Sequence, residues 1–224
     1  MQRAELAKRI DHTLLGPTVT QQAIKQLCEE AIQYGVAAAC VNPCHVQLVC
    51  DQLKGSGVRT CAVIGFPHGM HTAETKAFEA QNAIASGADE LDMVINVGAL
   101  KEGDYATVLD DIRGVCIAAG KAPKPVRVKV IVETALLTEE EKVAGATLAK
   151  AAGAHYVKTS TGFGPGGATV DDVALLRATV GAEMGVKAAG GIRDAEIAIA
   201  MIEAGADRIG ASRTVAILEG IGAS

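Results

Sequence analysis

The chain has 224 residues, of which 49% are apolar, 3% are aromatic and none is tryptophan, and its formal net charge is −5. That is enough apolar material for one large domain, residues 1–224, with a core of Ala, Val, Ile and Leu. A mildly acidic balance without runs of like charge excludes nucleic acid and anionic membrane surfaces as expected partners.

The N-terminal MQRAELAKRIDH is charged and lacks an apolar centre, so no secretory signal is expected. No apolar run approaches a membrane span, and the protein reads as cytoplasmic. The six cysteines are Cys28, Cys40, Cys44, Cys50, Cys61 and Cys116. They form no CxxC pair and no Cys/His spacing of a zinc site. The stretch CVNPCHVQLVC over 40–50 is broken by Pro43, and small buried thiols in a reducing compartment are expected.

In chain order, short apolar segments fall at 9–15 (RIDHTLL), 35–43 (GVAAACVNP), 59–67 (RTCAVIGFP) and 90–98 (ELDMVINVG). Four more follow at 126–134 (VRVKVIVET), 156–162 (YVKTSTG), 185–191 (GVKAAGG) and 208–212 (RIGAS). Their brevity and their Val, Ile and small residues predict strands. Helical periodicity occupies 20–35, 72–87, 137–153 and 193–205. The first of these places Ile24, Leu27, Ala31 and Ile32 on one face and stops at Gly35. Thr72 and Asp194 stand as N-caps, and Thr138 with Glu141 makes a capping box. ASGADEL, AAGAHYV and EAGADRI repeat one joint: a helix end, a left-handed glycine, then a strand.

Eight such units in one chain predict a single-domain α/β protein, the (β/α)8 TIM barrel. The competing open doubly wound sheet lacks a G-x-G-x-x-G turn after its first strand. GFGPGG after Lys158 matches that motif only superficially, because it follows the sixth strand and carries Pro165. His68 and His71 in FPHGMH have no third ligand in view and read as a solvated loop.

Side chains alternate between the two faces of a barrel strand. Segment four puts Asp92, Val94 and Asn96 on one face, and Leu91, Met93 and Ile95 on the other. Segment five puts Arg127, Lys129, Ile131 and Glu133 together, opposite an all-valine face that must meet the helices. Segment six groups Tyr156, Lys158 and Ser160; segment seven groups Lys187, Ala189 and Gly191. The predicted interior therefore holds Asp11, Asp92, Lys129, Lys158 and Lys187, with Arg127 and Glu133 towards the strand ends. Either these groups form an ion-pair network that holds the barrel, or they form a site.

A lysine attacks carbonyls only as the neutral amine, and desolvation and a neighbouring cation both lower its pKa. Two lysines on adjacent strands with a carboxylate alongside suit imine and enamine chemistry. The glycine-rich exits AAGGIRD and RIGASR suit a phosphate. A sugar-phosphate-binding barrel without chemistry, another imine-forming lyase and a nicotinamide-dependent oxidoreductase remain as alternatives.

DHTLL, CVNP, GFPHG, ELDMVINVGAL, VIVETALLT, VKTSTGF, VKAAGGIR and RIGAS together resemble the deoxyribose-phosphate aldolase family of class I aldolases, from Asp11 to Ser212. The resemblance implies reversible cleavage of 2-deoxy-D-ribose 5-phosphate to D-glyceraldehyde 3-phosphate and acetaldehyde. It implies no cofactor and no metal, and a homodimer or homotetramer. By motif it places the imine-forming lysine on Lys158, the lysine that perturbs it on Lys187, the acid/base carboxylate on Asp92 and a supporting carboxylate on Asp11. It places the phosphate on backbone around Gly162, Gly190, Gly191, Gly210 and Ser212. Phe163 stands where some members have lysine, and Arg213 where others have serine. Cys40 matches a position where some members carry an aldehyde-reactive cysteine.

Overall fold

In the computed structural model, which describes residues 1–221, eight parallel strands close into a barrel in simple chain order. They are β1 (Ile10–Leu14), β2 (Ala38–Val41), β3 (Arg59–Ile64), β4 (Glu90–Val94), β5 (Arg127–Ile131), β6 (Tyr156–Lys158), β7 (Gly185–Ala189) and β8 (Arg208–Ala211). The helices are α1 (Arg3–Ala7), α2 (Gln21–Tyr34), α3 (Val46–Leu53), α4 (Ala73–Ala85), α5 (Val97–Lys101), α6 (Tyr105–Gly120), α7 (Glu139–Ala151), α8 (Val170–Val180), α9 (Ala195–Glu203) and α10 (Thr214–Glu219). Pairing of β8 with β1, Ile209 opposite Ile10, closes the sheet and removes the doubly wound alternative. The last residues of the expected domain, 222–224, lie outside the described residues. Among the described residues no helix is long and apolar enough to cross a membrane.

The local signals act as read. Thr20, Thr72 and Asp194 accept N–H bonds from Ala23, Thr75 and Ile197, and Thr138 and Glu141 form the reciprocal box of α7. The three repeated joints turn on Gly87, Gly153 and Gly205, all at positive φ. The outward faces of β4 and β5 (Leu91, Met93, Val128 and Val130) pack under the helices with no exposed surface. Each such side chain contributes about 1.5–3 kcal/mol. Ile32 departs from its expected face, being 45% exposed.

The strands are shorter than their segments. Segment six is strand only to Lys158, because the Thr159 hydroxyl donates to Ala189 O and accepts from Ala189 N, ending the ladder in a loop. Segment four ends at Val94, and Asn96 turns instead to cap α5 by accepting from Ala99 N.

One buried pair outside the barrel sets the exit of β4. Lys76 of α4 donates to Asp111 Oδ2 of α6 at 2.6 Å and to Val94 O at 2.8 Å, and Asp111 also accepts from Asn96 N at 3.2 Å. Burial depresses the Lys76 pKa and raises that of Asp111, so neither ion is comfortable alone. Lys76→Met is therefore expected to cost about 3–5 kcal/mol by stranding Asp111, and Lys76→Met/Asp111→Leu to recover much of that loss. Urea unfolding midpoints check this; a double variant no more stable than the single would refute it.

Candidate active site

Strand register brings the interior charges together. Lys129 lies directly opposite Asp92, Lys158 opposite Lys187, and Lys187 opposite Arg208. Three cations side by side on β6, β7 and β8 repel one another unless carboxylates reach across the barrel, and Asp92 and Asp11 do. Asp92 Oδ2 accepts from Lys158 Nζ and Lys187 Nζ at 2.7 Å each, and its Oδ1 accepts from Lys129 Nζ at 2.8 Å. Asp11 accepts from Lys187 through Oδ2 and from Arg208 through Oδ1. Glu90 pairs with Lys129 at 2.6 Å and with Arg208 at 3.2 Å.

Thus Asp11, Asp92, Lys129, Lys158 and Lys187 all lie in the interior, as alternation predicted. Glu90 and Arg208 belong with them and went unnoticed. The same alternation carries both, since Glu90 is two residues before Asp92 and Arg208 two before Gly210. Arg127 sits on the half-exposed N-terminal rim, 3.8 Å from Glu90. Glu133 leaves the expected face: its φ of 59° takes it out of the strand.

The charges hold one another ionised. Burial opposes the Asp92 carboxylate, yet Lys129, Lys158 and Lys187 keep its pKa well below the usual range. Burial likewise opposes Asp11, and Lys187, Lys129 and Arg208 keep it low. For Lys187, Asp11 and Asp92 more than offset burial and hold the ammonium above its ordinary pKa. The enclosed cations Lys129, Lys158, Lys187 and Arg208 outnumber the enclosed carboxylates Asp11, Glu90 and Asp92 by one.

A cavity of about 470 Å³ opens at the C-terminal mouth, bounded by the exits of β1, β6, β7 and β8. Of the four enclosed cations, only Lys158 lines it. Gly162, Gly190, Gly191, Gly210 and Ser212 line it too, together with Arg193 and Arg213. The Asp194 carboxylate beside it caps α9 by accepting from Ile197 N. Gly210 is small for a further reason: a Cβ there would stand 2.9 Å from Ala189 Cβ and 3.1 Å from Lys187 Cε.

GFGPGG is a packing device. A Cβ on Gly164 would press on the Glu133 carboxyl, one on Gly166 would meet Ala135 Cβ at 2.8 Å, and one on Gly167 would meet Gly190 O at 2.3 Å. The run lets the β6 loop lie on the exits of β5 and β7. His68 and His71 are exposed, as read. Cys28, Cys40 and Cys61 are buried thiols, whereas Cys44 is exposed, against expectation. Cys40 has no exposed surface and packs with Leu15, Cys61 and Val63.

The family model for DeoC/LacD family aldolases matches residues 6–223. A Geobacillus protein named deoxyribose-phosphate aldolase is 60% identical over 96% of this chain and 95% of its own. A Clostridium perfringens protein of the same name is 56% identical over 98% and 97%. The solved tetrameric deoxyribose phosphate aldolase from Aeropyrum pernix superposes with a TM-score of 0.91 at 35% identity, covering 99% of this chain and 93% of that one. A barrel whose one cavity-facing lysine shares a carboxylate with a second lysine, matched end to end by such relatives, belongs to the DeoC/LacD aldolase family.

Proposed function

We propose that the barrel cleaves 2-deoxy-D-ribose 5-phosphate reversibly to D-glyceraldehyde 3-phosphate and acetaldehyde through an imine on Lys158. The observation that carries the assignment is that Lys158 alone among the enclosed cations lines the cavity. Lys187, its cross-strand neighbour, has no exposed surface and is engaged by two carboxylates.

In this reading the neutral Lys158 amine adds to the aldehyde carbon of the open-chain sugar. The carbinolamine loses water as Asp92, 2.7 Å from the amine, returns to the departing hydroxyl the proton it took from the Lys158 ammonium to free the amine. Asp92 then takes the proton of the C3 hydroxyl, the C2–C3 bond breaks, and its electrons enter the iminium to give an enamine. Glyceraldehyde 3-phosphate leaves. Protonation at C2 and hydrolysis release acetaldehyde and free Lys158. Lys187 stays charged and orients Asp92; Asp11 touches Lys187 but not Lys158, so its part is to hold that second lysine. The phosphate is assigned to the backbone of Gly162, Gly190, Gly191 and Gly210 and to Ser212, with Arg193 and Arg213 adding two cations at the rim. A homo-oligomer, as for the Aeropyrum relative, and a cytoplasmic setting complete the reading.

The test is reduction with borohydride in the presence of acetaldehyde, followed by peptide mass mapping. A two-carbon adduct on Lys158 that disappears in Lys158→Met is expected. An adduct on Lys187 would exchange the two roles, and none on either would leave only a sugar-phosphate-binding barrel. Gly210→Ala separates the two reasons for that glycine. Crowding of Lys187 is expected to lower kcat about tenfold or more, at a stability cost of about 1–3 kcal/mol. A rise in KM at unchanged kcat would make Gly210 a phosphate contact alone.

A further inference from the structure

Glu133 is the only residue other than glycine at positive φ among the described residues. A left-handed glutamate is uncommon and costs free energy that the surroundings must supply, and such strain collects at sites. Glu133 is also buried, 4% exposed, just past the end of β5. Its Oε2 accepts from Thr161 N at 3.1 Å and from the Thr161 hydroxyl. Thr161 Oγ1 accepts in turn from Phe163 N at 3.1 Å. Gly164 leaves room for this carboxyl, since a Cβ there would come within 3.0 Å of it. The Phe163 ring, edge-on to Phe66 with centroids 5.4 Å apart, fixes the outer end of the same loop.

The loop so held begins directly after Lys158 and carries Thr161, Gly162 and Phe163 along the cavity wall. None of the Glu133 bonds reaches Lys158, Asp92 or Lys187. The strained conformation aims the carboxyl across to β6 rather than into the barrel, where strand alternation would have sent it.

We propose that Glu133 is a positioning residue: it fixes the loop 160–164 so that this loop grips the phosphorylated end of the substrate, and takes no part in the covalent steps. The inference rests on the phosphate assignment made above. A loosened loop weakens binding of the phosphorylated sugar while the amine remains in place.

The experiment compares Glu133→Gly, Glu133→Gln and Thr161→Val with wild type in the full chain. Glycine adopts positive φ without strain, so it removes the carboxyl without a folding penalty at that backbone. Glutamine keeps an oxygen that accepts both Thr161 bonds. Thr161→Val breaks the hydroxyl bond while leaving the Glu133 backbone alone. The expected results are a rise of about tenfold or more in KM for 2-deoxyribose 5-phosphate in Glu133→Gly and Thr161→Val. Glutamine is expected to stay within about threefold of wild type, and kcat/KM for unphosphorylated 2-deoxyribose within about threefold throughout. Borohydride trapping of acetaldehyde persists in all three, and amide hydrogen exchange at Thr161 and Phe163 quickens in Glu133→Gly and Thr161→Val but not in Glu133→Gln. Exchange reads the loop even in a variant too weak for kinetics. Wild-type trapping with unchanged KM and unchanged exchange in Glu133→Gly overturns this inference alone. Loss of trapping in Glu133→Gly, or equal losses on both sugars, also overturns it by placing Glu133 in the chemistry or the general fold. Absence of trapping in the wild type overturns the imine reading, and this inference with it.

Discussion

Lys158→Met is expected to lower kcat/KM for 2-deoxyribose 5-phosphate by on the order of 10⁵-fold or more, while leaving the barrel as stable as wild type. Removing the nucleophile of a covalent mechanism has losses of that size, equivalent to about 7 kcal/mol of transition-state stabilisation. The stability half follows from the charge count. The four enclosed cations exceed their carboxylates by one, and without Lys158 the remaining three balance Asp11, Glu90 and Asp92. Asp92 keeps Lys129 at 2.8 Å and Lys187 at 2.7 Å. Methionine fills the vacated path with a flexible apolar chain. A urea midpoint within about 1 kcal/mol of wild type, or above it, is expected. A loss of several kcal/mol would mean that Lys158 is a structural ion first.

Asp92→Leu is expected to fail in both respects. It removes the one carboxylate shared by Lys129, Lys158 and Lys187, leaving four enclosed cations with Asp11 and Glu90. Stranding buried charge in this way costs about 3–5 kcal/mol. Catalysis falls with it, because Asp92 is the one acceptor of the Lys158 amine among the described residues and no other is there to move protons. Asp92→Asn, which keeps an acceptor oxygen but no charge, is expected to lie between in stability and near Asp92→Leu in activity. The sign in pH is fixed by the lowered pKa of Asp92. A carboxylate whose folded pKa is depressed contributes stability above its unfolded value, about 3.9, and loses it as pH falls through the folded value. The wild type therefore loses this contribution only below about pH 4, and Asp92→Asn is expected to show a shallower acid limb there. Equal acid limbs would place the main acid-labile pairing elsewhere.

The barrel is legible along the chain, because each of its signals is local. Thr138 and Glu141 lie three residues apart, and Gly87, Gly153 and Gly205 each close one helix, whatever the rest of the chain does. The inward-facing residues are legible in the same way, since alternation is a property of one strand: Lys158, Lys187, Asp92 and Asp11 follow from it. Resemblance to known aldolases then supplied their roles. Which of these groups meet depends on how the strands are set against one another. Period two fixes a face but not a height, so that Lys158 lies opposite Lys187, and both reach one oxygen of Asp92, follows from register and closure. The same holds for the cavity, which selects Lys158 over Lys187 by depth. Glu133 turned away from its strand face because a left-handed backbone and the Thr161 bonds override alternation. Lys76 and Asp111 pair across two helices 35 residues apart, which helical periodicity has no means to express. Local rules reach a few residues along the chain; the charges that define this site are neighbours only because the sheet closes.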